Sequence, residues 1–334
     1  MKWSIEKANE WKQKTGWLFG FNYVTSSAVN STEMWQDQSY DRESIKRELA
    51  LAAETGFNSC RVFLQYLVWA NEGERFIHNF SDFCDIAKSA GLSVMPILFD
   101  DCNFAQKEPY LGVQDAPRPG VSNSGWTPCP GASVIDDPSK EQSLCEYVKN
   151  IVSTFKGNKQ IVVWDLYNEP GNNGQDQAQG SGSLALMEKA FTWAREAKPS
   201  QPLTVAVWNP ADYNFAICDH VDIVSFHDYQ SLNKTQKLIS KLKEYNRPIL
   251  CTEWLNRPGG NTFENHLPMF GREITGAYNW GLILGKTQTN LHGSTIFGEP
   301  DPNPVLWQHD LYHSNQRPYN SEEITFIKKF AAKM

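Results

Sequence analysis

The sequence predicts an α/β fold, a (β/α)8 TIM barrel with long loops after strands 3 and 8, and two observations carry that prediction. Strand-like and helix-like segments alternate along the 334 residues, and the strand segments are nearly continuous apolar runs. Parallel strands covered by helices must read that way. Two of the runs, Trp164-Asp165-Leu166-Tyr167-Asn168-Glu169-Pro170 and Ile249-Leu250-Cys251-Thr252-Glu253-Trp254, stop at a glutamate, where a buried strand emerges from a core. The competing architecture is an open doubly wound sheet. That fold would carry a glycine-rich phosphate turn after its first strand, and Asn22-Tyr23-Val24-Thr25-Ser26-Ser27 is not one. Barrels of this kind often reach this length as one unit, so residues 1–334 are expected to form a single domain.

The elements follow in order. An amphipathic lead-in covers residues 5–14, and the aromatic-rich run 16–24 is the first strand. A helix begins near Asp41, with Ile45, Leu49 and Ala52 on one face and Gly56 as its stop. Residues 58–65 form the second strand, 76–90 a helix ended by Gly91, and 92–101 the third strand. A helix over 141–156 stops at Gly157, the fourth strand covers 161–169, and a helix over 184–197 is ended by Pro199. Strands at 203–209, 221–229, 248–254 and 277–284 complete a set of eight, with helices at 235–245 and 322–333. Two connections, 102–139 and 289–320, are much longer than the few residues usual in such units. Both follow strand C-termini, the end where barrels build their sites, and are read as walls of a cleft.

Composition narrows the function. With 40% hydrophobic and 21% charged residues the chain is globular, and a net charge of −7 without any basic tract argues against a nucleic-acid surface. No apolar run reaches the roughly 20 residues of a membrane helix. The seven cysteines are scattered without metal-like spacing and read as free buried thiols, which suits a reducing compartment. The charged start Met1-Lys2-Trp3-Ser4-Ile5-Glu6-Lys7 lacks the apolar stretch of a secretory signal, so a cytoplasmic location is expected. A mature secreted form would read the same.

A barrel gathers strand ends into one mouth, so Glu169 and Glu253 can face each other although 84 positions separate them. Glycoside hydrolysis uses such a pair: one carboxyl protonates the departing oxygen while the other attacks the anomeric carbon or activates water. Arg61, a charge within the apolar second strand, requires a carboxylate partner, either at the site or a framework residue such as Asp100. His227 and Tyr229 alternate on the sixth strand and share a face, with Asp228 pointing away.

These residues resemble the clan A glycoside hydrolases. The Asn168-Glu169-Pro170 triplet ending strand four, Glu253 ending strand seven, Arg61 on strand two, and His227 and Tyr229 on strand six are most similar to family 5 cellulases, mannanases and xylanases. The resemblance covers nearly the whole barrel and implies a retaining β-glycoside hydrolase acting by double displacement. Glu169 would be the acid/base and Glu253 the nucleophile. Asn168 would bind the substrate 2-hydroxyl, Arg61 and Tyr229 would orient Glu253 and keep it ionised, and His227 would line the subsite at the cleaved bond. The implied substrate is a β-glucan, xylan or mannan type oligo- or polysaccharide, without metal or organic cofactor.

The chain also departs from that pattern. Family relatives often place an aromatic platform at the end of strand eight, whereas Trp280 lies before the predicted end and Gly285-Lys286-Thr287-Gln288-Thr289 follows. Either the strand ends earlier, or Lys286 and Gln288 contact sugar hydroxyls instead. Where some relatives carry a histidine on strand three, this chain has Asp100-Asp101-Cys102, and these carboxylates are expected to bind sugar hydroxyls, tune Glu169 or pair with Arg61, with Asp101 the substrate-binding one. Among the 12 tryptophans, Trp126, Trp254 and Trp69 are candidates to stack on sugar, while Trp17, Trp164, Trp193 and Trp208 are expected in the core.

Three other classes compete. A metal-dependent hydrolase would need a His-x-His on an early strand; only His309 and His313 have suggestive spacing, and they sit late and read as surface positions. A non-catalytic carbohydrate-binding barrel would lose one glutamate. A transglycosylase would use the same intermediate, and sequence does not separate it from a hydrolase.

Overall fold

The structure of the protein, a computed structural model, describes residues 1–172, 182–209 and 211–334. Its strands are β1 Leu18–Tyr23, β2 Ser59–Phe63, β3 Ser93–Asp100, β4 Trp164–Asn168, β5 Leu203–Thr204, β6 Ala206–Val207, β7 Val224–His227, β8 Ile249–Trp254 and β9 Gly276–Trp280. They form one sheet in the order β5-β4-β3-β2-β1-β9-β8-β7-β6, with every pairing parallel. The two ends of that order, β5 and β6, are halves of the predicted fifth strand, interrupted at Val205. The sheet therefore closes on itself as the expected eight-stranded barrel. Closure rests on two register pairs on each side: Trp164↔Leu203 and Asp165↔Thr204, then Ala206↔Ser225 and Val207↔Phe226.

Local chemistry explains the helix ends. Helix Arg42–Thr55 starts where the Asp41 side chain accepts from the Ser44 amide, and it stops at Gly56 with φ 106°, a left-handed conformation that glycine adopts without strain. Helices Glu74–Ser89, Glu141–Phe155, Gly182–Glu196, Leu232–Leu242 and Ser321–Ala331 fall where apolar periodicity predicts them, within a few residues. Helix Phe263–Glu273 carries Pro268 inside it, which hides its pattern in the sequence. Among the described residues no helix is long and apolar enough to cross a membrane.

The barrel interior is layered. Ala8 and Trp11 of helix Ile5–Thr15 pack under Leu18, Met95, Val163, Ile223, Leu250 and Tyr278 and close the bottom. Above them lies a polar layer, with Tyr278 Oη 2.8 Å from Ser59 Oγ and Thr204 Oγ1 2.7 Å from Ser225 Oγ. Gly20 is required by this filling, because a Cβ there would fall 2.1 Å from the Tyr278 ring. The top holds Phe63, Ile97, Cys102, Trp126 and Trp280. Outside the strands, a larger apolar layer joins sheet to helices and contains Trp164 and Trp193, with the half-buried Trp17 against it, as expected.

The predicted eighth strand overruns. It ends at Trp280, because Gly281 turns the chain with φ 77° where a side chain would strike Asp310. The two long loops meet above the barrel. Asn123 N donates to Thr287 O (2.7 Å) and Asp301 N to Gly120 O (2.8 Å), and Ser122 N donates to Thr295 Oγ1 (2.9 Å). The first loop is also tied to the end of β3 by reciprocal 2.7 Å bonds between the Asp100 and Cys129 backbones.

Candidate active site

The site is built around Arg61. An arginine fully buried on β2 must have every N–H satisfied, and here all five are. Nε and Nη2 donate to Asp165 Oδ2 (2.9 and 2.8 Å), Nη2 also to Asn168 Oδ1 (2.7 Å), and Nη1 to Asn22 Oδ1 (2.7 Å) and Glu253 Oε1 (2.8 Å). Burial alone would push the guanidinium down, but the charges of Asp165 and Glu253 outweigh it and raise it. Of the two kinds of partner expected for Arg61 both are present: the site carboxylate is Glu253, and the framework carboxylate is Asp165 in place of Asp100.

Glu253 takes its other donor from Tyr229, whose hydroxyl lies 2.7 Å from Oε2. Facing it from the end of β4 is Glu169, held at φ 46°, a left-handed conformation that non-glycine residues adopt rarely. Its Oε1 is 2.7 Å from His227 Nδ1, and its Oε2 accepts from Asn172 Nδ2 (2.5 Å) and Cys102 Sγ (3.4 Å). Burial pushes the Glu169 carboxyl up, but His227, Asn172 and Cys102 together hold it below the usual range. His227 Nδ1 is also 3.6 Å from Glu253 Oε2. One side-chain oxygen or nitrogen from each of Glu169, His227 and Glu253 lies within 4.8 Å of the others. A divalent cation could be held by such a triad, but each carboxylate already faces protein donors.

The third strand contributes differently from expectation. Asp101 turns away from the cleft, accepting from Tyr167 Oη and Gly171 N at 2.6 Å each, and so shapes the turn after Glu169. Asp100 is the residue beneath the site: it accepts from Asn168 Nδ2 (2.8 Å) and Trp126 Nε1 (2.7 Å), and burial pushes its carboxyl up to about 7. Burial likewise holds the Cys102 thiol well above its usual value, so it is a neutral donor to Glu169.

Aromatic residues form the walls. Trp126, as expected, lines the pocket with Glu169 and Glu253. So does Trp280, which sits at the end of β9, stacked 5.9 Å from Phe63 and 6.3 Å from His309. The platform is therefore present and the strand boundary was misplaced. Trp254 is corrected: it is fully buried on the outside of β8, packed on Phe263, His266 and Phe270. Consecutive strand residues face opposite sides, so the residue after Glu253 cannot share its cleft. Trp69 packs on Tyr66 and Tyr147 and bonds Asn150, away from the mouth. Trp208, expected in the core, is half-buried beside Glu169 and His227 in a second pocket, with Nε1 donating to Pro170 O.

Lys286 and Gln288 are also corrected. Lys286 pairs with Glu33 at 2.6 Å, and Gln288 Nε2 donates to the backbone oxygens of Arg118 and Val121, so both brace loops and neither lines the pocket. His309 is a buried pocket wall instead of a surface residue, and burial pushes its imidazole down to about 3. His313 packs on the edge of Trp307.

Sequence reasoning missed Asp165, Asn22, Asn172, Asn123 and Gln308. For Asp165 and Asn22 a signal existed, since each is a polar residue inside an apolar strand run pointing the same way as Arg61. Asn172, Asn123 and Gln308 lie in loops, where no periodicity marks an inward side chain.

The comparisons with known proteins bear on the fold and the family. The family model for Cellulase (glycosyl hydrolase family 5) matches residues 13–290. No curated protein sequence matches the chain. Among solved structures it is similar to GH5_18 from Streptomyces cattleya in complex with GlcNAc, with TM-score 0.62 and 13% identity over 95% of this chain and 80% of that one. It is also similar to the exo-beta-1,4-mannosidase Op5Man5 from Opitutaceae bacterium strain TAV5, with TM-score 0.62 and 16% identity over 95% and 59%. Bacteroides uniformis beta-glucuronidase gives TM-score 0.61 and 14% identity over 93% of this chain. This chain spans about a third of that protein's length, 34%. At such identities the likeness shows the barrel fold alone. The family match, which spans most of the chain, goes further: the protein belongs to glycosyl hydrolase family 5.

Proposed function

We propose that this glycoside hydrolase cleaves β-linked oligo- or polysaccharides of the glucan, xylan or mannan type with retention, Glu253 acting as nucleophile and Glu169 as acid/base. The observation that carries the reading is the asymmetric support of two opposed carboxylates. Glu253 receives one donor on each oxygen, from Arg61 and Tyr229, and so is aimed with a lone pair free on each. Glu169 faces it across His227, with carboxylate atoms within 4.8 Å. Retaining enzymes keep the pair about 5–5.5 Å apart, because a wider gap is what an inverting enzyme uses to admit water.

In the first step a Glu253 oxygen attacks the anomeric carbon and the glycosidic oxygen leaves with a proton from Glu169. The 2.7 Å contact between His227 Nδ1 and Oε1 fixes the orientation of the Glu169 carboxyl for that transfer. In the second step Glu169 accepts a proton from water, which attacks the same carbon and releases Glu253. Asn168 commits Oδ1 to Arg61 and one N–H to Asp100, while its contact to Cys102 Sγ is a weak 3.6 Å. That N–H is available to a sugar 2-hydroxyl.

The test uses aryl β-glycosides with wild type, Glu169→Gln and Glu253→Gln. Both substitutions are expected to abolish turnover. Glu253→Ala is expected to regain glycosyl transfer with azide, giving the inverted glycosyl azide. Substantial hydrolysis by Glu253→Ala without azide would refute the assignment.

A further inference from the structure

Two pockets meet at Glu169 and Tyr229, and they are chemically unequal. One contains Glu253 and Asn168 with Trp126 and Trp280; the other contains His227 with Val207 and Trp208 and lacks Glu253. The nucleophile must reach the anomeric carbon of the sugar being transferred. That sugar therefore occupies the first pocket, and the leaving group lies in the second, with the proton donor at their border.

The first pocket is bounded on its loop side by Ser122 and Asn123 of one long loop and Gly293 and Ile296 of the other. These loops are bonded to each other. Beyond the Asn123–Thr287, Asp301–Gly120 and Ser122–Thr295 bonds, Gln288 donates to Arg118 O and Val121 O. Phe104 and Phe297 meet edge to face, with ring centroids 6.4 Å apart. A polysaccharide continuing past the transferred sugar would have to part this wall.

Two features describe the sugar that fits. Among the described residues, no lysine or arginine lines the pocket, and Arg61 beneath it has no donor left. His309 in the wall is uncharged, because burial pushes it down to about 3. A uronate carboxylate would have no cationic partner. Asn123, 6% exposed, lines the pocket with a buried Oδ1 that has no hydrogen-bond partner. Its backbone is fixed by bonds to Thr287 and Trp126, so the orphan acceptor is held in place for a hydroxyl donor.

We propose that the protein acts from chain ends, removing one neutral sugar at a time from the non-reducing terminus, with Asn123 accepting a hydrogen bond from a hydroxyl of that sugar. This rests on the retaining-hydrolase reading above. The bond changes are those of that mechanism, with water as the acceptor.

The test follows the first products from β-linked glucan, xylan and mannan tetrasaccharides labelled at the reducing end. Aryl β-glycosides of glucose, xylose, mannose, galactose and glucuronic acid are compared in parallel. A single monosaccharide and a labelled trisaccharide are expected first, with kcat/KM on the glucuronide at least about a hundredfold below the best neutral glycoside. Asn123→Ala is expected to lower kcat/KM at least about tenfold on that glycoside. Wild type should lose a similar factor on one of its monodeoxy analogues, and Asn123→Ala should not discriminate against that analogue. The analogue series on wild type reads the contact even if the variant folds poorly. Internal fragments as first products, efficient glucuronide cleavage, or no deoxy analogue that loses activity would overturn the proposal. If such fragments vanish with Glu253→Ala, the hydrolase reading survives alone; no cleavage of any substrate overturns both.

Discussion

Replacing Arg61 with lysine keeps the charge and removes the fork. The guanidinium makes five hydrogen bonds to Asp165, Asn168, Asn22 and Glu253, and an ammonium has three donors. At least two bonds are lost, and most involve ionised acceptors. At about 1.5–3 kcal/mol for each charge-assisted bond, the loss is about 3–6 kcal/mol. For a chain of this size, roughly 2 °C per kcal/mol makes that a fall in Tm of about 6–12 °C. The catalytic effect is separable. If the ammonium stays with Asp165, which takes two of the five bonds, Glu253 keeps only Tyr229. Loss of one charge-assisted bond to the nucleophile then lowers kcat by about 10- to 150-fold. Thermal unfolding and aryl-glycoside kinetics, measured on the same preparation below its Tm, check both numbers. A variant with unchanged Tm and kcat within threefold of wild type would refute the view that Arg61 holds the site together.

Three further outcomes are expected. Cys102→Ala removes one of the donors that lowers Glu169, so the Glu169 pKa rises; the alkaline limb of the pH–rate profile should move to higher pH, with kcat at its optimum within about threefold. Trp280→Ala should raise KM about 10- to 100-fold by removing a stacking face, whereas Trp254→Ala should leave KM unchanged and cost about 3–5 kcal/mol of stability, read by urea unfolding. Burial raises Asp100 to about 7 and Asp310 to about 6, from 3.8; between about pH 4 and pH 7 these two groups hold more protons in the folded state than in the unfolded state, and the stability they contribute falls as pH rises through that window, offset in part below 6.5 by His309, which burial pushes down to about 3. Tm should drop by several degrees between about pH 5 and pH 7.5, and Asp310→Asn should flatten part of that slope.

The barrel was legible because its strands are apolar on both faces and its helices carry one apolar face, so the alternation survives in the bare sequence. The carboxylates, Arg61, His227 and Tyr229 were legible for the converse reason, since each is a charge or polar group that a buried strand tolerates only with a partner. What the sequence hid is set by single turns. Gly281 ends β9 four residues before the apolar run ends, and that shift moves Trp280 to the mouth and takes Lys286 and Gln288 out of the pocket. Trp254 faces outward because consecutive strand residues alternate, although in sequence it adjoins Glu253. Which of Asp100 and Asp101 points inward is decided by the backbone turn after β3 alone, and no residue pattern marks it.

The break at Val205 divides the molecule mechanically. Elsewhere around the barrel neighbouring strands share three to five register pairs, but β5 and β6 hold their neighbours by two each. Local opening is easiest where the ladder is shortest. Val207 and Trp208, which line the pocket on the leaving-group side, stand on that seam. Phe63, Asn168 and Trp280, on the other side, stand on the ends of β2, β4 and β9. One half of the cleft is thus a stiff mould and the other a pliant one, so the enzyme should be strict about the sugar it transfers and tolerant of the aglycone it releases.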